Sequence, residues 1–225
     1  MEVRGVTAAE SNNLSPVVTL VAQSDAQSIT FVTAPSTFNS LEAQADNGVI
    51  VTQDISTDTS IAADGGMYLD GDIEDNLGSD AKNKVGFTDA RSVVARTLLT
   101  LEATTGNIYA EGKLTLKAGT GVVILDDMTS ISSGGGAVVI NADCYASGDQ
   151  CYHEPADGAL TVWAAKTVTT NNSDLTITAW DIDLDGSLTA GTKTIFIYGA
   201  KDVQTVGLGA TANANMHIED TELQL

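Results

Sequence analysis

The sequence predicts an all-β chain coiled as a parallel β-helix, with a large β-sandwich as the alternative architecture, and three observations carry that expectation. From Asp174 to Asp185 apolar Leu175, Ile177, Ala179, Ile182 and Leu184 alternate with Thr176, Thr178, Asp181, Asp183 and Asp185. A period of two is the signature of a strand with one buried face, and no helical run interrupts it. A short phrase, apolar-Thr-apolar-x-Ala, also recurs along the chain as LTLEA at Leu99, LTLKA at Leu114, LTVWA at Leu160 and LTITA at Leu175, with looser copies VTLVA at Val18 and VVINA at Val138. Recurrence at ~15 to 25 residues means stacked rungs, each too small to bury its apolar face alone. Finally, the linkers TG, GTG, SSGGG and GT are small residues that tolerate positive φ at the corners of a coil. The count comes to roughly twenty short strands, far above the seven or so of an immunoglobulin-type sandwich.

Taken in order, a strand over Met1 to Val6 opens the chain and a polar excursion, Thr7 to Ser15, follows it up to Pro16. Strands are then expected at Val17 to Ala22, Ile29 to Thr33, Phe38 to Ala45, Gly48 to Ile55, Ser60 to Ala63 and Met67 to Glu74, separated by turn chemistry such as DNG and ADGG. Asp75 to Asp89 reads as a loop leaving the stack. In Arg91 to Ala103 a helix competes, but Thr97, Thr100 and the LTLEA phrase favour strand. Beyond Gly106 the rungs NIYAEGKLTLKA, VVILDD and AVVINAD lead into the alternating stretch, then VQTVGLG and MHIEDTELQL.

A length of 225 residues suits one all-β domain or one run of a solenoid, and no Pro/Ser-rich or single-sign block divides residues 1–225. Against 10 Lys and Arg stand 30 Asp and Glu, a formal net charge of -20. Such a surface repels phosphate backbones and anionic headgroups, so neither nucleic acid nor membrane insertion is expected, and cations are the expected small partners. No apolar run approaches the ~18 residues of a membrane span. MEVRGVTAAES has no apolar signal region. The first and last strands carry no polar cap, which predicts a segment of a longer repetitive chain and an extracellular or cell-surface location.

The phrases LTLKAGTG, VVINAD, LTITAWDIDLDGSLTAGT and TVGLGA resemble the filamentous-haemagglutinin type of repeat protein, particularly the very large secreted repetitive proteins of algae and other protists. VRGVTAAESNNLSPVVTLVA is similar to another part of such a repeat. The resemblance implies a right-handed parallel β-helix used as a stiff extracellular rod, whether adhesin, surface fibre or filament shaft. The N-terminal secretion domain of the bacterial haemagglutinins has no counterpart here.

Candidate sites are few. Cys144 and Cys151, the only cysteines, flank a Gly, Ser and Asp-rich gap and are expected to form a disulfide that closes a projecting loop. A metal site adding His153 with Asp143 or Glu154 is the competing reading, at a spacing wider than zinc pairs use. Asp181, Asp183, Asp185 and Gly186 spell the start of a calcium loop, but Thr192 stands where an EF-hand needs Glu. Asp70 and Asp72, followed by Glu74 and Asp75, repeat the pattern, and at either place calcium could relieve repulsion between carboxylates on one face. No other cofactor is expected. Asn13 and Asn171 begin N-glycosylation sequons in turn-like segments. His153 and His217 stand in unrelated contexts, and a β-helical polysaccharide lyase would have to use Lys113 and Lys117, or Arg91 and Arg96, as its base. Trp163 and Trp180 occupy matching places beside their phrases and are expected to pack on rung edges. The expected function is non-catalytic: a structural segment that contacts copies of itself or adjacent repeats, with a glycan- or protein-binding adhesin module and a lyase as competing classes.

Overall fold

The computed structural model describes residues 1–11, 17–58, 65–75, 82–131, 136–144, 157–209 and 214–219. The first coil comprises β1 (Glu2–Arg4), a helical turn α1 (Ala8–Ser11) and β2 (Val18–Ala22). Next come β3 (Ile29–Val32), β4 (Ser36–Phe38), β5 (Leu41–Ala45), β6 (Val49–Val51), β7 (Ile55–Thr57), β8 (Met67–Asp70), β9 (Val85–Phe87), β10 (Arg91–Ala95), β11 (Leu98–Glu102) and β12 (Ile108–Ala110). The second half holds β13 (Leu114–Ala118), β14 (Gly121–Ile124), β15 (Met128–Ser130), β16 (Val138–Asn141), β17 (Ala159–Val162) and β18 (Thr167–Thr169). It ends with β19 (Leu175–Ala179), β20 (Asp181–Leu184), β21 (Ser187–Thr189), β22 (Ile195–Gly199), β23 (Val206–Leu208) and β24 (Met216–Ile218).

From β3 to β22 each strand pairs with the strand three places along, always in parallel, which divides the chain among three long sheets. Face one runs β1-β3-β6-β9-β12-β15-β18-β21, face two β2-β5-β8-β11-β14-β17-β20, and face three β4-β7-β10-β13-β16-β19-β22. This is a three-sided parallel β-helix, and the sandwich alternative falls. The tightest coils fall within the rung spacing expected from the sequence: Thr37 Oγ1 and Ser56 Oγ, 19 residues apart, lie 2.9 Å from one another on adjacent turns. The Thr167 N–H instead reaches Asp127 Oδ1 across 40 residues, so the coils differ in length.

Alternation places every second side chain inside, and parallel register then stacks like on like. On face three Ile55, Val93, Leu116, Ile140, Ile177 and Ile197 form one column, since each is the ladder partner of the next. Face two contributes Leu41, Met67, Leu99, Val122, Leu160 and Ile182, and face one Ile29, Val49, Val85, Ile108, Met128, Val168 and Leu188. The recurring phrase is therefore a wall element: LTLKA, VVINA and LTITA lie directly upon one another on face three. Their closing alanines, Ala118, Ala142 and Ala179, are fully buried, and in a close-packed interior a larger side chain would have to displace its neighbours.

Several sequence-based boundaries change. Phe38 to Ala45 is two strands separated by a corner at Asn39 and Ser40, and Arg91 to Ala103 likewise divides at Arg96 and Thr97. Val85–Phe87, assigned to a loop, is a fully buried face-one strand, too short at three residues for alternation to reveal it. The polar excursion contains α1, which stands beside β4 where a face-three strand would otherwise lie. Thr7 and Glu10 form a capping box there, with the Thr7 N–H donating to Glu10 Oε2 at 2.8 Å and the Glu10 N–H to Thr7 Oγ1 at 3.3 Å. Corners are also less dependent on glycine than expected, since Ala26, Ala90 and Ala165 hold positive φ. Gly106 is required for a different reason: a Cβ there would fall 1.3 Å from the Asn83 carbonyl oxygen. At the far end β23 and β24 pair in parallel, and Met216 and Ile218 of β24 join the core. The strand expected to continue to Leu225 is described only to Ile218, residues 220–225 lying outside the described residues, as does the strand expected at Ser60 to Ala63.

Acidic residues take a structural part at the corners. Asp46 Oδ2 accepts the Ala26 N–H at 2.6 Å, Asp126 Oδ2 the Ala103 N–H at 2.7 Å, Asp89 Oδ1 the Lys113 N–H at 2.8 Å, and Asp54 Oδ1 the Ser92 N–H at 3.0 Å. In each case a carboxylate accepts an N–H at a corner or, for Ser92, near the start of a strand. Leu116→Ala, inside the stack, should cost ~2–5 kcal/mol in urea or thermal unfolding, while its outward neighbour Thr115→Ala should change stability by less than about 0.5 kcal/mol; equal effects would contradict this core.

Candidate functional site

The described residues concentrate negative charge on the outside of face two. Strand parity turns Glu42, Tyr68, Thr100, Val123, Thr161 and Asp183 outward in one column, and Gln44, Asp70 and Glu102 in the next. Two acidic regions result, one around β8 and β11 in the middle of the sheet and one at its β20 end.

The first surrounds Asp70. Its Oδ1 accepts the Asp72 N–H at 2.9 Å, and its Oδ2 lies 3.5 Å from Gln44 Nε2 and 3.4 Å from the Tyr68 hydroxyl, which also donates to the Glu102 carboxylate. Burial pushes the Asp70 carboxyl up to about 6; the Asp72 N–H opposes that rise and the neighbouring Glu102 charge adds to it. Burial, with the hydrogen bond to Glu102, likewise holds the Tyr68 phenol well above its ordinary range. Asp72 is itself buried, so the two aspartates do not share one exposed face as the alternation implied: β8 ends at Asp70 and Asp72 belongs to the corner.

The second is a cleft of about 580 Å³ lined by Thr161, Asp181, Asp183, Asp185, His217 and Glu219. Ile182 and Leu184 point into the core, leaving Asp183 and Asp185 exposed and Asp181 half-buried. Asp181 Oδ1 accepts the Ile182 N–H at 2.9 Å and the His217 N–H at 3.2 Å. His217 donates from Nε2 to the Gly209 carbonyl at 2.5 Å, and its Nδ1 lies 4.0 Å from Glu219 Oε1. Among the described residues no three acidic, His or Cys side chains converge as a ready-made metal site. Such a surface attracts cations and repels anions.

Other expected site residues are dispersed. Cys144 is buried just beyond β16, while Cys151, His153 and Glu154 lie outside the described residues. So does Asn13. Asn171 is exposed at φ 47° in the turn between β18 and β19, whereas Ser173 of its sequon is buried and accepts the Gly136 N–H at 3.2 Å. Arg91 faces Asp54 at 3.5 Å and Arg96 faces Asp58 at 3.6 Å, so the two arginines considered as lyase bases are engaged in ion pairs. Trp163 is exposed beyond face two, and Trp180 lies beyond face three with the Lys201 ammonium 4.6 Å from its ring centroid. The two indoles follow strands of different sheets and are not stacked rung upon rung. Tyr68, Gln44 and Glu102 escaped the sequence reading because Glu102 lies 34 residues from Tyr68, and only the register of the coils brings them together.

Fold and site together define a parallel β-helix with an acidic face. No protein-family model, curated protein or solved structure matches the chain.

An Asp whose folded-state pKa is raised takes up its proton before the unfolded chain does, so its contribution makes stability fall as pH rises from about 4 to about 6. Asp70→Asn removes that penalty while keeping an acceptor for the Asp72 N–H. In melts recorded in chelator, the variant should be more stable than the parent at pH 7.5 and the difference should vanish near pH 4; a difference independent of pH would refute the assignment.

Proposed function

We propose that this chain is a non-catalytic, rod-forming structural module of an extracellular filament or cell-surface fibre, of the filamentous-haemagglutinin type that its repeat phrases resemble. The observation that carries this reading is the continuity of the three parallel ladders, of eight, seven and seven strands. A ladder of this kind adds length without changing its cross-section, and its last strands offer an edge to a further parallel strand. The inward Ile195 and Ile197 of β22 are only partly covered, unlike Leu175 and Ile177 one coil earlier, so added strands would bury apolar surface as well as pair backbone. The partners are copies of the chain or adjacent repeats, joined end to end. Purified protein should lengthen with concentration by light scattering and appear as end-to-end rods in electron cryomicroscopy. Discrete monomers at every concentration would remove end-to-end association from the proposal.

A second reading, an adhesin module, has its own support. Phe196 and Tyr198 stand exposed side by side on the outer surface of β22, rings within 4° of parallel and 6.3 Å apart, at the end of columns that contain Thr115, Thr176 and Thr178. Neutral glycans are the class such a surface suits, and loss of glycan-array binding on Phe196→Ala and Tyr198→Ala would favour it over a purely mechanical role.

An extracellular setting also implies the Cys144–Cys151 disulfide. Intact mass should lie about 2 Da below the reduced value, consistent with one disulfide, and reduction should lower stability by about 2–3 kcal/mol. Two titratable thiols in protein purified under oxidising conditions would contradict it.

A further inference from the structure

We propose that the corner joining face two to face one binds a hard divalent cation, calcium by its donor chemistry, through Asp72 and Asp70 with Glu102 beside them. Asp72 is 1% exposed. Its Oδ2 accepts the Thr105 N–H at 2.9 Å and the Thr105 hydroxyl, and its own N–H is held by Asp70 Oδ1. The remaining oxygen, Oδ1, is buried and meets no hydrogen-bond donor. A carboxylate oxygen removed from water without a donor or cation carries its full desolvation cost, so folded proteins fill such positions.

The same fold shows how the position is filled elsewhere. Asp126 occupies a corner of the same kind, with Oδ2 accepting the Ala103 N–H, and its other oxygen receives the Lys166 ammonium at 2.6 Å. The chain thus supplies a cation to the corner carboxylate at Asp126. Among the described residues no Lys, Arg or His makes an ion pair with Asp70, Asp72 or Glu102. The three carboxylates belong to adjacent coils at this corner, two of them are buried, and among the described residues no cationic side chain pairs with them.

Their surroundings suit calcium. Tyr68 and Thr105 bring neutral oxygens to the same groups, and calcium accepts six to eight oxygens in flexible geometry where magnesium demands a near-ideal octahedron. Because the carboxylates are not already gathered as a triad, the affinity expected is that of extracellular modules, with Kd of about 0.1–1 mM. The bound ion would tie β8 to β11 and the corner at Thr105, coupling consecutive coils.

The test uses the full chain with calcium, and terbium as its luminescent substitute, read by calorimetry, melting temperature and emission excited through tyrosine. Calcium should raise the melting temperature of the parent and of Asp183→Asn, which alters the distant cleft, while Asp72→Asn should bind at least tenfold more weakly. Tyr68→Phe should remove most of the sensitised terbium emission, because Tyr68 adjoins the proposed site; this arm does not depend on Asp72→Asn folding. The proposal is overturned by absence of binding up to about 10 mM calcium, by unchanged affinity in Asp72→Asn, or by undiminished emission in Tyr68→Phe.

Discussion

Everything in this molecule depends on parallel backbone pairing between residues about one coil apart. Because that pairing is in register, whatever stands at one position on a rung stands above and below its counterparts. Apolar residues facing inward then form continuous columns, and each coil buries a face that it could not bury alone. A charge turned inward would break a column for several coils. A residue turned outward is tolerated in almost any polar form, which explains why the recurring phrase keeps its apolar and Ala positions while its outward positions range over Glu, Lys, Trp and Asn.

The acidity of the chain is partly architectural. Corners and strand starts present N–H groups that Asp46, Asp54, Asp89 and Asp126 accept with carboxylate oxygens. Aspartate is well suited, being short enough to reach a neighbouring corner and charged enough to make a strong acceptor. Repulsion accumulates as a consequence. Lys166 relieves it at Asp126, and Lys201 lies between Asp143 and Asp157. Around Asp70 like charges are adjacent instead, and the Glu102 charge adds to the rise in the Asp70 pKa that burial causes.

Legibility from sequence followed the length of the alternating segments. Five-residue strands such as β13 and β19 announced themselves, and the LTLKA and LTITA phrases marked strands of one wall, face three. Three-residue strands did not: Val85–Phe87 is buried at every position and gives no alternation to read. Helical α1 was concealed in a polar segment although its Thr7 and Glu10 capping box is a local signal that could have been found. At the candidate sites the acidic positions were legible as residue types, but Asp70 and Asp72 were placed on one exposed face when one ends a strand and the other lies buried in a corner.

The sequence by itself determined that this chain is all-β, coiled in rungs of about twenty residues, strongly acidic, and lined inside by Val, Ile, Leu and Ala. These properties are local or periodic, and a period is visible wherever it repeats. Only the tertiary structure decided which rungs are neighbours, that three faces are built, and that Tyr68, Asp70, Asp72, Glu102 and Thr105 meet at one edge. Coil lengths differ because some coils contain additional residues, so separation along the chain does not predict proximity across it. Register, set by inter-strand hydrogen bonds and the fit of the apolar columns, does.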